Sequence, residues 1–217
     1  MYHHVTGITP GAREAHLEKE QTMPEVHAIP TVYKGIEFRS RLEAKWAIMF
    51  DYLDWPWQYE PVDFKGYIPD FHIDFGRQQF FVEIKPAFTQ EDLRPALDKA
   101  VRALGHSRKE TILVLGGTPG EMIHGSSGHP VWGLNALMDQ SCYCDLHDAY
   151  LAGCPTCNRI VPLTIDGQWG FPCCEVPKHD DEHEIKHYRH EIPPIGSIIE
   201  TYWARATNVV KYQHGRR

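Results

Sequence analysis

The segment over residues 66–86, GYIPDFHIDFGRQQFFVEIKP, constrains the fold more than any other part of the chain. The runs on the two sides of Gly76-Arg77 are rich in apolar residues, and we interpret them as two strands joined by a tight turn. With Gly76 supplying the positive φ of a two-residue loop, Phe75 faces Gln78, and the apolar side chains of both strands share one face. These apolar side chains are Phe71, Ile73, Phe80 and Val82.

The opposite face of this predicted hairpin carries charge. In the same register Asp70 lies across from Glu83, with Cα atoms about 5 Å apart, and Lys85 projects the same way. Two such carboxylates repel each other unless a cation lies between them or one is protonated, and their oxygens suit Mg²⁺ or Mn²⁺. A lysine beside them can orient or deprotonate water, or neutralise charge on a phosphate. The alternative is an exposed charge cluster on an ordinary hairpin.

Further elements are predicted on both sides of the hairpin. Apolar residues at helical spacing predict a helix over residues 41–53, ended by Pro56, and a second helix over Gln90–Leu104. Residues 57–62 suit a strand, and Thr111–Leu115 (TILVL) is typical of a strand covered on both faces. The predicted order is therefore helix, three strands, helix, strand.

Glu43 lies at the rim of the apolar stripe of the first helix, which directs it toward whatever the helix packs on. An alternative is a capping box over Ser40-Arg41-Leu42-Glu43, in which Glu43 only binds back to the Ser40 amide.

Taken together, Glu43 in the first helix, Asp70 in Pro69-Asp70, and Glu83-Ile84-Lys85 at the end of a strand resemble the PD-(D/E)XK nuclease superfamily. The segments FRSRLEAKWAIMFDYLDWPWQYEP, YIPDF and VEIKP are most similar to the end-cleaving endonuclease subunits of transposons and related phage nucleases. The resemblance covers about residues 33–117.

This resemblance implies an α/β (α+β) fold, with a restriction-endonuclease-like αβββαβ core around a mixed sheet. It also implies that Asp70, Glu83 and the Ile84 carbonyl hold a Mg²⁺ or Mn²⁺ ion. Glu43 would complete or bridge the metal shell, and Lys85 would position the water that hydrolyses a DNA phosphodiester bond. Cutting both strands with one active site would call for a homodimer or a protein partner.

The charge of the chain bears on DNA as a partner. A net charge of −7 argues against nucleic acid only weakly, because it averages over local patches. Basic residues crowd the nuclease-like segment and could follow phosphates, although a solvated face of mixed charges is the alternative. They are Lys34, Arg39, Arg41, Lys45, Lys65, Arg77, Lys99, Arg102, Arg108 and Lys109.

All six cysteines lie between residues 142 and 174, and in a reducing compartment they are expected to bind metal rather than form disulfides. Cys154-Pro155-Thr156-Cys157 has the spacing of a zinc knuckle, and the following RIVPLTIDGQWGF predicts the hairpin of a zinc ribbon. The alternative is six idle thiols. The adjacent Cys173-Cys174 departs from a standard ribbon and leaves the fourth ligand open. The predicted structural Zn²⁺ ligands are Cys144, Cys154, Cys157 and Cys174, with Cys142, Cys173 or His147 as substitutes.

Composition divides the chain into a polar arm over residues 1–30, a nuclease core over 31–125, and a Cys/His-rich module with a C-terminal helix over 126–217. The zinc module is expected to dock DNA or a partner. No apolar run reaches about 18 residues, and the N-terminus does not resemble a signal peptide, so we expect a cytoplasmic protein of a bacterial or phage-infected cell without a membrane partner.

Two other functions remain open. His183-Glu184-Ile185-Lys186-His187 is formally an HExxH zinc-protease motif, but its polar surroundings favour a solvated stretch. A nuclease-like fold that no longer cuts and serves as a DNA- or protein-binding adaptor is the other alternative.

Overall fold

A computed structural model describes residues 28–104, 111–119, 122–124, 130–131, 133–137, 146–154, 156–163, 171–174 and 195–213. Its helices are α1 (Arg41–Tyr52), α2 (Gln90–Leu104) and α3 (Ile195–Gln213). Its strands are β1 (Thr31–Tyr33), β2 (Ile36–Phe38), β3 (Trp57–Tyr59), β4 (Phe71–Asp74), β5 (Gln79–Ile84), β6 (Thr111–Leu115), β7 (Met122–His124), β8 (Pro130–Val131), β9 (Gly133–Leu137), β10 (Leu146–Gly153) and β11 (Ile160–Leu163).

The centre of the fold is a mixed sheet of seven strands in the order β11-β10-β9-β6-β5-β4-β3. β5 and β6 run parallel, and the neighbouring pairs on both sides are antiparallel. The prediction of a mixed α+β fold is confirmed, and α1, β3, β4, β5, α2 and β6 follow one another in the predicted order.

The predicted hairpin has the predicted register. Phe71 pairs with Val82 and Ile73 with Phe80. Gly76 has a φ of 87°, which L side chains rarely adopt, and the Phe75 amide donates to the Gln78 carbonyl at 3.1 Å. The turn therefore places alternate side chains of β4 and β5 on opposite faces.

The helices cover both faces of the central strands. α1 begins at the N-cap Ser40, whose hydroxyl accepts a hydrogen bond from the Glu43 amide at 3.1 Å. Its buried Trp46 donates from Nε1 to the Gly116 carbonyl at 2.9 Å, which ties the helix to the end of β6. On the other face, Leu93 and Leu97 of α2 belong to a second core cluster with β6. All five residues of β6 are buried, as predicted for a strand covered on both faces.

The chain after residue 125 differs from the predicted separate zinc-ribbon-like module. β9 pairs antiparallel with β6, and β10 and β11 continue the same sheet. A wholly buried strand such as β6 needs a hydrogen-bonding neighbour on each side, and β9 supplies the second one. The predicted boundary at residue 125 thus falls between strands of one sheet. Of the predicted hairpin RIVPLTIDGQWGF, residues 159–163, which include β11, and Phe171 are described.

The C-terminal helix, predicted over Ser197 to Val210, is observed as α3 and packs against α1. The rings of Trp46 and Trp203 lie 5.0 Å apart, and those of Tyr52 and Tyr202 lie 5.2 Å apart. The predicted arm lies mostly outside the described residues. Sequence analysis missed the β1–β2 hairpin, although Lys34-Gly35, with φ angles of 51° and 78°, provides its turn.

Candidate functional site

Three carboxyl groups are buried next to one another at the end of β5. Asp70, Glu83 and Glu43 are respectively 2%, 7% and 7% exposed. Asp70 directly precedes β4, Glu83 lies near the end of β5, and Glu43 lies in the first turn of α1. These residues are hereafter called the acidic cluster. Carboxylates are rarely buried without partners, so each one needs an explanation.

The two oxygens of Asp70 have different partners. Oδ2 accepts a hydrogen bond from the Ile84 amide at 2.7 Å, which fixes the carboxyl group against β5 beside Glu83. Oδ1 accepts from Nη2 of Arg39. One oxygen is therefore held by the backbone, and the other faces a cation.

Glu83 is held by a tyrosine and a lysine. The Tyr67 hydroxyl donates to Glu83 Oε2 at 3.1 Å, and Lys85 Nζ lies 2.5 Å from Glu83 Oε1. Lys85 continues past the end of β5, with its amide bonded to the Leu115 carbonyl at 2.9 Å. The structure thus brings Asp70, Glu83 and Lys85 together on one side of the hairpin, as the register predicted.

Glu43 also joins this side of the molecule. Its Oε2 accepts from the Tyr59 hydroxyl at 2.6 Å, and its Oε1 accepts from the Ser40 hydroxyl at 2.8 Å. The capping alternative is realised in part, because Ser40 caps the helix. The Glu43 carboxylate, however, binds the hydroxyls of Ser40 and Tyr59, and its Oε2 lies 4.0 Å from Nε of Arg39, which also binds Asp70.

Burial changes the acidity of Asp70. Desolvation and the negative charge of Glu83 raise its pKa, while the hydrogen bond from the Ile84 amide lowers it, and the net pKa is about 7. The charge of Glu43 also raises the pKa of Asp70, and that of Lys85 lowers it. The three carboxyl groups thus form one electrostatic unit.

Arg39 lies between the acids. The sequence predicted it only as one of the basic residues that could follow DNA phosphates, and did not predict its contact with the acids. Its Nε is 2.7 Å from Glu60 Oε1 and 4.0 Å from Glu43 Oε2, while Nη2 binds Asp70. The signal was its position directly before the cap Ser40, four residues before Glu43. Tyr59 and Tyr67 were missed as well, although both precede the acidic motif closely.

The acidic cluster offers carboxylate oxygens, the type of ligand that hard divalent cations prefer. Carboxylate oxygens suit Mg²⁺ and Mn²⁺, and buried carboxylates in contact need positive charge to ionise together. Among the described residues, the group of three or more possible ligands whose atoms all lie within 4.8 Å of one another is made of cysteines. Binding of one divalent ion by Asp70, Glu83 and Glu43 therefore stays a prediction. The Ile84 amide donates to Asp70, while the metal role expected of the Ile84 carbonyl stays a prediction.

A second cluster is formed by four cysteines and is called the cysteine cluster. The sulfurs of Cys154, Cys157, Cys173 and Cys174 all lie within 4.8 Å of one another, and the thiols could hold a metal ion such as zinc. Bonds of about 2.3 Å to a tetrahedral zinc place sulfurs just under 4 Å apart. The separation of 3.5 Å between Cys157 and Cys173 is close to this value.

The first knuckle lies in the turn between β10 and β11. The Cys154 amide donates to the Arg159 carbonyl at 2.8 Å, and the Asn158 amide donates to the Cys154 carbonyl at 2.8 Å. Burial raises the pKa of Cys157, but a backbone hydrogen bond involving Arg159 and the neighbouring thiols outweigh it and lower the pKa to about 7. Cys157 is thus disposed to bind metal as a thiolate.

The fourth cysteine of the described cluster is Cys173, one of the substitutes that the sequence left open. Cys142 and Cys144 lie outside the described residues. The backbone of His147 lies in β10, paired with Asn135, and its side chain is not among those described. The HExxH segment with His183 and His187 is also outside the described part.

Several predicted basic contacts with DNA are already engaged within the protein. Lys34 pairs with Asp51 at 2.9 Å, Arg39 binds the acids, and Lys45 lies 3.9 Å from the centre of a Trp203 ring. Burial and the charge of Lys211 lower the pKa of Lys45 to about 8. These three side chains therefore contribute less to a phosphate-binding surface than their charge suggests.

No family model, curated protein or solved structure matches the chain. In the part of the chain that the structure describes, no helix combines the length and the apolar character needed to cross a membrane.

Proposed function

We propose that this protein is a Mg²⁺- or Mn²⁺-dependent DNA endonuclease of the PD-(D/E)XK type with a structural zinc site. The observation that carries the proposal is the meeting of Asp70, Glu83 and Lys85 at the end of β5, with Glu43 buried beside them. A restriction-endonuclease-like core is part of the proposal, supported by the order of α1, β3, β4, β5, α2 and β6.

Asp70 and Glu83 would hold the divalent ion, and Glu43 would complete its shell. When bound, the ion supplies Lewis-acid stabilisation of the charge that develops on the phosphate. The Ile84 amide and the Tyr67 hydroxyl keep the two carboxyl groups in place before substrate arrives. Such preorganisation lowers the cost of reorganisation during the reaction.

Lys85 is the group that would act on the attacking water. Its ammonium is half-buried and lies on the same side as both acids, where it can orient water or offset negative charge at the phosphate. A lysine that served only as a surface side chain would gain little stability from a position beside buried carboxylates.

The Zn²⁺ ligands that we propose are Cys154, Cys157, Cys173 and Cys174. Four protein thiolates leave no open position on the ion, which is the arrangement of a structural site. This part of the molecule would fasten the β10–β11 turn and offer a surface for DNA or a protein partner.

The test is a panel of end-labelled DNA substrates, namely duplexes, flaps, junctions and single strands, incubated with Mg²⁺ or Mn²⁺. We expect the wild type to cleave at least one substrate, and Asp70→Asn and Lys85→Ala to cleave it roughly 10²-fold more slowly or worse. Asp74→Asn is the matched control, because Asp74 lies at the end of β4, the strand that follows Asp70, is exposed, and binds Gln79 and Gly76 instead of the acidic cluster.

Full activity of either site variant would refute the assigned site. Binding of DNA by the wild type without cleavage of any substrate would favour the adaptor alternative.

A further inference from the structure

Arg39 binds the oxygen that a metal ion would need. Asp70 Oδ2 accepts a hydrogen bond from the Ile84 amide, which leaves Oδ1 as the oxygen of this residue without a backbone partner. Arg39 Nη2 donates to that oxygen. A guanidinium group and a divalent ion at the same carboxylate repel each other, so the binding of one weakens the binding of the other.

The position of Arg39 allows its guanidinium group to leave Asp70. Its backbone amide donates to the Tyr59 hydroxyl at 3.1 Å, so the main chain is anchored. Its side chain is 56% exposed, and the residue lies between β2 and α1 rather than inside either element. The guanidinium can therefore leave Asp70 without disturbing the core or unwinding a helix.

Arg39 also has a second partner that can retain it nearby. Its Nε lies 2.7 Å from Glu60 Oε1, and the Glu60 amide donates to the Asp70 carbonyl at 3.0 Å. The planar guanidinium thus bridges two carboxylates through different nitrogens. A lysine ammonium is a compact charge on a flexible stem and does not reproduce this bridge.

We propose that Arg39 is an internal competitor of the divalent metal, and that it sets the metal concentration at which the acidic cluster becomes loaded. The proposal rests on the metal site of the proposed function and adds a regulation of that site. With Arg39 on Asp70 the buried charge is compensated by the protein itself. We expect loading of the site to displace the guanidinium from Oδ1, because the two positive charges repel each other.

The test is a titration of the zinc-loaded protein with Mn²⁺, followed by the electron paramagnetic resonance signal of free Mn²⁺. We expect Arg39→Gln to bind Mn²⁺ roughly tenfold more tightly than the wild type, because a charge-assisted hydrogen bond no longer has to be broken. Arg39→Lys should lie between the two. Arg94→Gln, which removes the same charge from an exposed position of α2, should bind as the wild type does.

Thermal unfolding gives a second readout that a merely structural role would not produce. Without Mn²⁺, Arg39→Gln should unfold at a lower temperature than the wild type, because the acids lose their internal cation. Added Mn²⁺ should then raise its Tm by more than it raises that of the wild type.

Two different failures can be told apart with Asp70→Asn. If Asp70→Asn abolishes Mn²⁺ binding but Arg39→Gln binds as the wild type or more weakly, the competition is overturned and the metal site stands. If Asp70→Asn binds Mn²⁺ as well as the wild type does, the metal site of the proposed function is overturned, and the role of Arg39 falls with it.

Discussion

The acidic cluster and the cysteine cluster are assembled in different ways. Every carboxyl group of the acidic cluster has protein partners: a backbone amide and Arg39 for Asp70, Tyr67 and Lys85 for Glu83, and Tyr59 and Ser40 for Glu43. The cysteine cluster brings together four thiols from residues 154–157 and 173–174, and thiols are weak hydrogen-bonding groups. The acidic cluster is held by contacts within the protein, whereas we expect the cysteine cluster to need a metal ion to hold its ligands together.

The largest effect is therefore expected at the cysteine cluster. Cys154→Ser removes a buried ligand, and we expect loss of the bound zinc and of about 4 kcal/mol or more of stability. Zinc content and thermal unfolding of the purified protein measure both. Cys144→Ser is the control, and it should retain one zinc ion. Loss of zinc from this variant would show that Cys144 is a zinc ligand.

Asp70→Asn should have a large effect on DNA cleavage and a small effect on stability. We expect DNA cleavage to fall by roughly 10²-fold or more, because the metal loses a ligand. The fold should persist, since the change removes a buried negative charge that lies beside Glu83. Cleavage assays and unfolding curves of the same preparation measure the two effects. A large loss of stability would mean that Asp70 is primarily structural.

The difference between the two sites also explains what the sequence could reveal. Gly76 fixes a turn, and a turn fixes register, so the meeting of Asp70 with Glu83 follows from local pattern alone. Arg39 reaches the same carboxylate only because the β2–α1 link folds over β3 and β4, which no local pattern encodes.

Local sequence pattern also could not predict the full set of clustered cysteines or the pairing of the strands after β6. The short segment GLNAL has no sequence pattern typical of a strand, and it forms β9 by pairing with β6. The sequence therefore did not predict that the sheet continues past β6. The CPxC spacing identified Cys154 and Cys157. The choice among the remaining cysteines depends on how residues 171–174 pack, and Phe171 and Cys173 pack against the main core.

The pH dependence of Mn²⁺ binding is the next test of the acidic cluster. Because the pKa of Asp70 is raised to about 7, Mn²⁺ must displace a proton below that pH. We expect affinity to fall about tenfold for each pH unit below 7 and to level off above it. Asp74→Asn should show the same profile as the wild type, and a flat wild-type profile between pH 5 and 7 would contradict the raised pKa.

The raised pKa of Asp70 also makes the folding stability of the protein depend on pH. An acid with a raised pKa binds its proton more tightly in the folded state than in the unfolded one. The contribution of Asp70 is therefore fully present below the unfolded pKa of 3.8 and is lost as the pH rises through about 7. Mn²⁺ should offset this loss at neutral pH, which unfolding curves with and without the ion can measure.

The smallest effect is expected from Tyr67→Phe. The change removes one hydrogen bond to Glu83 and leaves both acids in place, so Mn²⁺ affinity should fall about tenfold or less. Tyr202→Phe is the control, because it keeps the ring stacked on Tyr52 and lies outside the acidic cluster. Equal affinities of the two variants would show that Tyr67 does not orient Glu83.

The most direct test of the central claim is a crystal structure of the zinc-loaded protein soaked in Mn²⁺, with anomalous diffraction used to locate manganese. We expect a manganese peak at Asp70 and Glu83, with the Arg39 guanidinium moved away from Asp70. A saturating soak that leaves Arg39 on Asp70 and places no manganese at these carboxylates would contradict it.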